Sequence, residues 1–275
     1  MPQTWFITGS SSGFGNALAR AALEAGHNVV ATARNTAVLD PLVDQAPGRV
    51  LPVSLDVTKP DQIDAAVAAA VEEYGTVDVL VNNAGLASVG AVEELEDDAL
   101  RELMDVMFFS TITLVQAVLP GMRERRQGAV VQISSMGGQL SMPGFGAYSA
   151  AKYALEGISD ALAAEVAPYG IKVLIVEPGA FATSFGSARA QVSPDSGHYD
   201  ETVGPIRQAV DGMDGSQPGD PDKAAATIPQ VLADPSPPLR LALGADAVEM
   251  IGQSLDARRA DLDEWAEVSR ATAKS

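Results

Sequence analysis

Short apolar runs alternate along this chain with longer stretches in which apolar residues recur every three or four positions. Trp5 to Thr8 is the first such run, and the Ala/Leu-rich stretch Asn16 to Ala25 is the first with helical spacing. Further runs fall at Asn28 to Ala33, Val50 to Leu55, Asp78 to Val81, Ala129 to Ser134, Ile171 to Val176 and Leu239 to Leu243. Helical spacing returns at Pro60 to Tyr74, where Ile63, Val67 and Val71 share a face, and over Asp97 to Arg126. It returns again from Tyr148 to about Ala167, from Pro221 to Ala233, and in a charged segment that ends the chain. Short runs of this kind read as strands, and the 3.6-residue period reads as helix. Their alternation predicts an α/β fold, a doubly wound parallel sheet of about seven strands with helices on both faces.

Nothing in the middle of the 275 residues has the composition of a linker, so residues 1–275 read as one domain. Residues 180–219, rich in Gly, Ser, Pro and Asp, read as a mobile lid over a site. With 47% hydrophobic residues the chain can bury a substantial core. The absence of cysteine excludes disulfides, thiolate metal sites and a cysteine nucleophile. Two histidines, His27 and His198, make a histidine metal site a poor reading, so no metal is expected. A net charge of −18 argues against nucleic acid or an anionic membrane as partner. The first strand begins within four residues of the start and no apolar run approaches the ~20 residues of a membrane span, so a cytoplasmic protein is expected.

The chemistry begins where the first run ends, in Ile7-Thr8-Gly9-Ser10-Ser11-Ser12-Gly13-Phe14-Gly15. Strand, glycine turn and helix together are the context in which a glycine motif reads as a dinucleotide site of Rossmann type; a glycine/serine turn with no ligand is the plain alternative. Gly9 permits a sharp turn, and Gly13 and Gly15 let a ligand and the neighbouring strand approach the backbone. The first N–H groups of the helix then face the turn and favour phosphate. The spacing is G-x-x-x-G-x-G, not the commoner G-x-G-x-x-G. It also satisfies G-x-S-x-G, the nucleophile elbow of α/β-hydrolases, with Ser11 as nucleophile and His198 as base. An elbow at residue 11 would leave one strand upstream, whereas the oxyanion hole needs a loop from an earlier strand.

Other positions extend the dinucleotide reading. About 20 residues after the glycines, the second strand ends Ala31-Thr32-Ala33-Arg34 with no acid to take a ribose 2′-hydroxyl. Arg34 accommodates a 2′-phosphate, which favours NADP(H) over NAD(H); a solvated surface arginine is the plain alternative. Asp56, with Val57 after it, either accepts from an adenine amino group or caps the next segment. Asn82 and Asn83 close a strand where they can stitch neighbours together and bound the crevice. Tyr148 and Lys152 share a helix face one turn apart. Met136, Leu140, Met142, Phe145 and Phe181 suggest a largely apolar substrate pocket.

Taken in order, Thr8-Gly9-x-x-x-Gly13-x-Gly15, Asn82-Asn83-Ala84-Gly85, Ser135, Tyr148-x-x-x-Lys152 and Pro178-Gly179 with Thr183 resemble the short-chain dehydrogenase/reductase family across essentially the whole chain. The C-terminal third looks like the branch holding steroid- and retinol-type dehydrogenases. The resemblance implies an NADP(H)-dependent enzyme interconverting a carbonyl and a secondary alcohol, active as a homodimer or homotetramer. It implies Tyr148 as acid/base, Ser135 bonding the substrate oxygen, and Lys152 both holding the nicotinamide ribose and lowering the tyrosine pKa. A positive charge ~4 Å from the phenol, at an effective dielectric of ~20, would lower that pKa by about three units. The cofactor would lie on Gly9, Ser11, Ser12, Gly13, Phe14, Gly15, Arg34, Asp56, Val57, Asn82, Ala84, Gly85, Tyr148, Lys152, Pro178, Gly179, Phe181 and Thr183. There is one departure: where the family carries a catalytic asparagine, ten residues before Ala117, this chain has Met107. A thioether accepts hydrogen bonds only weakly. The competing reading is therefore a catalytically impaired, redox-sensing dinucleotide-binding protein.

Overall fold

The computed structural model describes residues 2–183, 191–211 and 215–274. The strands are β1 (Thr4–Ile7), β2 (Asn28–Ala33), β3 (Val50–Ser54), β4 (Val79–Asn82), β5 (Ser88–Val89), β6 (Gly128–Ile133), β7 (Ile171–Pro178), β8 (Gln191–Val192) and β9 (Arg240–Leu243). The helices are α1 (Gly13–Glu24), α2 (Asp40–Gln45), α3 (Pro60–Tyr74), α4 (Asp97–Met104), α5 (Ser110–Arg125), α6 (Gly146–Val166), α7 (Gly204–Asp211), α8 (Pro221–Ala233), α9 (Ala245–Glu264) and α10 (Ala266–Arg270). Seven strands form one parallel sheet in the order β3-β2-β1-β4-β6-β7-β9, and β5 pairs with β8 outside it.

Side chains of the central strands alternate between two apolar layers, as the two-residue period of a strand requires. Trp5, Ile7, Val79, Val81, Leu174 and Val176 face α1, α2 and α8. Phe6, Leu80, Val130 and Val173 face α3, α5 and α6. Both faces are thus covered, which is why the strands read as unbroken apolar runs. The order reverses between β1 and β4, and at such a switch point the carboxyl ends of neighbouring strands diverge into a crevice.

The helix expected over Asp97 to Arg126 is continuous but carries a π-helical segment, Asp105–Phe109, between α4 and α5. Inserting a residue this way re-aims the side chains around it, and Met107 turns fully inward. Contrary to the sequence expectation, this run is long and apolar enough to cross a membrane. Its inner face is core: Leu103, Met107, Leu114, Val118 and Met122 are buried. Phe109, on another side of the helix, is 54% exposed.

Four of these elements went unpredicted: α2, β5, β8 and α7. β8 and α7 come from residues 191–211, inside the stretch expected to be a lid; residues 184–190 and 212–214 of that stretch lie outside the described ones. Arg207 ties α7 down, its guanidinium 2.8 Å from the Glu94 carboxylate and donating to the carbonyls of Ser193 and Pro194.

Candidate active site

The crevice opens into a cavity of about 860 Å³, within the range of ligand sites. One end is the glycine turn. Gly9 (φ +68°) and Gly13 (φ +55°) both take left-handed conformations that side-chain-bearing residues avoid. Ser12 stands at the N-cap of α1 in extended conformation, and its side chain caps nothing. With no acidic residue in the first turn, the leading N–H groups of α1 remain available to an anion. A phosphate-bearing cofactor therefore fits this end of the cavity.

The turn is held by β4. Asn83 Nδ2 donates to the carbonyls of Thr8 (2.8 Å) and Gly9 (3.2 Å), while the amides of Asn83 and Ala84 donate to Thr8 Oγ1. Gly15 serves this packing: a Cβ there would lie 2.3 Å from Asn83 Nδ2 and 2.4 Å from the Gly9 carbonyl oxygen. Asn82 is likewise a strand tie, its Nδ2 donating to Gln132 Oε1 at 2.9 Å. Neither residue is on the cavity wall; what the structure shows of both is a supporting role.

The remaining predicted residues reach the wall: Gly9, Ser11, Ser12, Gly13, Phe14, Arg34, Asp56, Val57, Ala84, Gly85, Ser135, Tyr148, Lys152, Pro178, Gly179, Phe181 and Thr183. Phe14 and Phe181 meet edge to face at 5.9 Å, joining the loop after β7 to the glycine turn. Arg34 is exposed on the rim, next to the small Ala33. Asp56 takes the capping alternative. Burial pushes its carboxyl up, but hydrogen bonds from Thr58 N–H (3.0 Å) and Oγ1–H (2.8 Å), with the charges of Lys59 and Arg34, bring it below the ordinary range.

The other end of the cavity carries Ser135, Tyr148 and Lys152. Ser135 follows β6, and its Oγ accepts from the amide of Gly137 at 3.0 Å, leaving its own proton free to donate. It bonds the Tyr148 hydroxyl from there. Lys152, one turn further along α6, is buried; its Nζ donates to the Ile133 carbonyl at 2.7 Å and lies 5.7 Å from the Tyr148 ring centre. Burial lowers its pKa to about 8, with Glu156 opposing the shift. The expected depression of the tyrosine is not found in the chain itself. Burial pushes Tyr148 up to about 12, against the opposing bond from Ser135. At neutral pH Tyr148 is a protonated hydroxyl poised to donate.

Met107 sits beneath this pair, in an apolar cluster with Leu103, Ala147 and Ala151 against which Tyr148 packs. Met136, Met142 and Phe145 line the cavity as expected, and Leu140 does not. The sequence reading missed Asp98, Arg101, Glu102 and Asp105, which bring charge to the mouth from the long helix, and Ile206 and Val210 from α7. Positions 98, 101, 102 and 105 follow the helical period, which puts them on one face of the long helix. The hydrolase alternative gains nothing, since His198 is exposed and not on the cavity wall.

A glycine turn fit for phosphate at the switch point of a seven-stranded parallel sheet, with Ser135, Tyr148 and Lys152 on the wall of the same cavity, is the arrangement of a Rossmann-type fold. The short chain dehydrogenase family model matches residues 3–192, and the chain belongs to that family. It is 40% identical over 274 residues to "Oxidoreductase BOA17" of Botryotinia fuckeliana, covering 99% of this chain and 100% of that one. Human "Retinol dehydrogenase 8" is 36% identical over 259 residues, 87% of this chain and 80% of its own, in keeping with the expected branch. Among solved structures, a short-chain dehydrogenase from Streptomyces avermitilis superposes with a TM-score of 0.94 at 54% identity, covering 99% of this chain and 98% of that one.

Proposed function

We propose that this oxidoreductase uses NADP(H) to interconvert a carbonyl and a secondary alcohol, with Tyr148 as acid/base and reduction as its favoured direction. The observation that carries the reading is the Ser135–Tyr148 hydrogen bond on the cavity wall, with Lys152 one turn away. Bound NADPH supplies the hydride. The chain supplies the rest: Ser135 donates to the substrate oxygen, and Tyr148 gives up its proton as that oxygen gains charge. The resulting phenolate is balanced by the Lys152 ammonium. A phenol with pKa near 12 is a poor base at neutral pH but still donates readily to an alkoxide, a much stronger base, which supports reduction.

Arg34 on the rim, with no acid at the end of β2, supports NADP(H) over NAD(H). Met142, Phe145, Ile206 and Val210 support an apolar substrate, and the name of retinol dehydrogenase 8 points to the same chemistry in a relative. The exposed Phe109 supports contact with a second copy, in a homodimer or homotetramer. Replacing Tyr148 with Phe removes one hydroxyl and little volume. NADPH affinity should hold while kcat on a panel of carbonyl compounds falls below a tenth of wild type; a higher residual rate would mean that another group delivers the proton. The second reading, a dinucleotide sensor with impaired chemistry, rests on Met107. It predicts NADPH binding by the wild-type protein with no turnover on that panel.

A further inference from the structure

Behind Lys152, away from the cavity, lies a buried polar cluster that the reaction above does not use. Glu156, one turn along α6 from the lysine, is 3% exposed, and Glu177 of β7 is 2% exposed. Gln139 Nε2 donates to both carboxylates, 3.0 Å from each, and Arg240 of β9 reaches both with Nε, at 2.9 Å and 3.5 Å. Ser134, next to the catalytic serine, donates to Glu156 at 2.6 Å. Gly138 roofs the cluster so closely that a Cβ would lie 2.6 Å from Ser134 Oγ and 2.8 Å from Glu156.

The other charged groups around the pair are Asp160, ion-paired with Arg240 at 2.8 Å, and Arg258, which donates to the Gln139 carbonyl. Lys152 has no carboxylate within ion-pair distance among the described residues. The opposite side of its helix turn is the apolar cluster around Met107.

Resting on the reading of Lys152 given above, we propose that Glu156 is a positioning residue that keeps the Lys152 side chain charged. Glu177, held by the same Gln139 and Arg240 as Glu156, sets how much negative charge the two carboxyls present to the lysine. Two buried carboxyls bridged by one amide and one guanidinium cannot both ionise freely. Glu177 accordingly rises to about 7, through burial first and then the nearness of Glu156. As it ionises the pair gains charge, so the lysine is held in its ammonium form more firmly as pH climbs toward its own midpoint. Where the family asparagine would give a polar connection, this chain has a thioether; the acid pair lies on the other side of the same helix.

The test reads the lysine itself. The chain has five lysines, so selective ¹³Cε labelling with Lys152→Arg for assignment follows its titration by NMR. Glu156→Gln should lower the Lys152 midpoint by about one pH unit or more, the scale of losing one nearby buried charge. Glu177→Gln, which mimics the protonated acid at every pH, should lower it by less and erase any inflection near neutrality. A Lys152 midpoint unmoved in Glu156→Gln overturns the proposal. If that variant does not fold, Glu177→Gln decides alone: a fall supports the proposal, and no change overturns it. The readout does not depend on turnover. A Tyr148→Phe protein that still turned over would defeat the proposed reaction and leave this result standing. An unmoved lysine beside an inactive Tyr148→Phe would defeat this inference alone.

Discussion

Met107→Asn puts the family's usual residue back, and two outcomes compete. If a water-filled relay is waiting beneath Tyr148, the asparagine should anchor it and raise kcat. The structure favours the other outcome. Met107 is 1% exposed, in the π-helical segment, with Leu103, Ala147 and Ala151 as its buried neighbours. Removing the buried thioether forfeits ~1.5–3 kcal/mol of burial. An amide without partners costs a further ~1–3 kcal/mol. A middle value of ~4 kcal/mol would lower Tm by about 8–16 °C for a domain of this size. The assay is paired: thermal unfolding followed by circular dichroism, and kcat with NADPH below the melting range. We expect the melt to fall and kcat not to rise. A kcat three- to tenfold above wild type at unchanged Tm would refute the argument, because it would mean that the apolar cluster accepts a polar group and a water without penalty.

Arg34→Ala should weaken NADPH by ~1.5–3 kcal/mol, the range for hydrogen bonds to a charged group, and leave NADH within twofold; equal losses in a fluorescence titration would remove Arg34 from the 2′-phosphate site. Glu177 carries a folded-state pKa raised from 4.5 to about 7. Between those values the unfolded chain has released a proton that the native protein still holds, so stability falls as pH rises through this window, at up to ~1.4 kcal/mol per unit. Urea unfolding of Glu177→Gln should therefore lack that slope, and parallel pH profiles for the two proteins would contradict it. Arg207→Ala removes the ion pair to Glu94 and two bonds to the carbonyls of the β8 loop. It should raise KM for an apolar carbonyl, leave NADPH affinity unchanged, and speed hydrogen exchange at amides 203–210; exchange at the wild-type rate would show that α7 does not depend on this tie.

How much of this was legible in the sequence depended on the range of the forces involved. The seven sheet strands and the helices α3, α6 and α8 follow from apolar periodicity, and their ends shifted by at most a few residues. The short elements did not follow. β5 and β8 are two residues each and far apart in the chain, and the Arg207–Glu94 ion pair joins the segments next to them. The glycines signalled a turn correctly, but two roles cannot be separated by composition: Gly9 and Gly13 are required by backbone conformation, Gly15 by the side chain of Asn83. The same limit applies to Asn82 and Asn83, two adjacent asparagines that look alike until the strand order shows one facing Gln132 and the other facing Thr8.

The tyrosine pKa shows the limit most sharply. The i, i+4 spacing of Tyr148 and Lys152 fixes that they share a helix face, and from that alone a short charge–phenol distance looks natural. Spacing says nothing about where the ammonium points. Here Nζ turns to the Ile133 carbonyl, 5.7 Å from the ring centre, and the surrounding apolar wall raises Tyr148 more than any nearby group lowers it. The desolvation that holds the tyrosine in its protonated form also draws the lysine down to about 8. Without a counter-charge the lysine would drift toward its neutral form as pH rose, and in the proposed reaction the phenolate left by proton transfer would lose its partner. A buried acid one turn further along the same helix answers that need. Its partner from β7 and their shared arginine from β9 come from strands that are far from α6 in sequence and adjacent in the sheet, so only the folded chain brings them together.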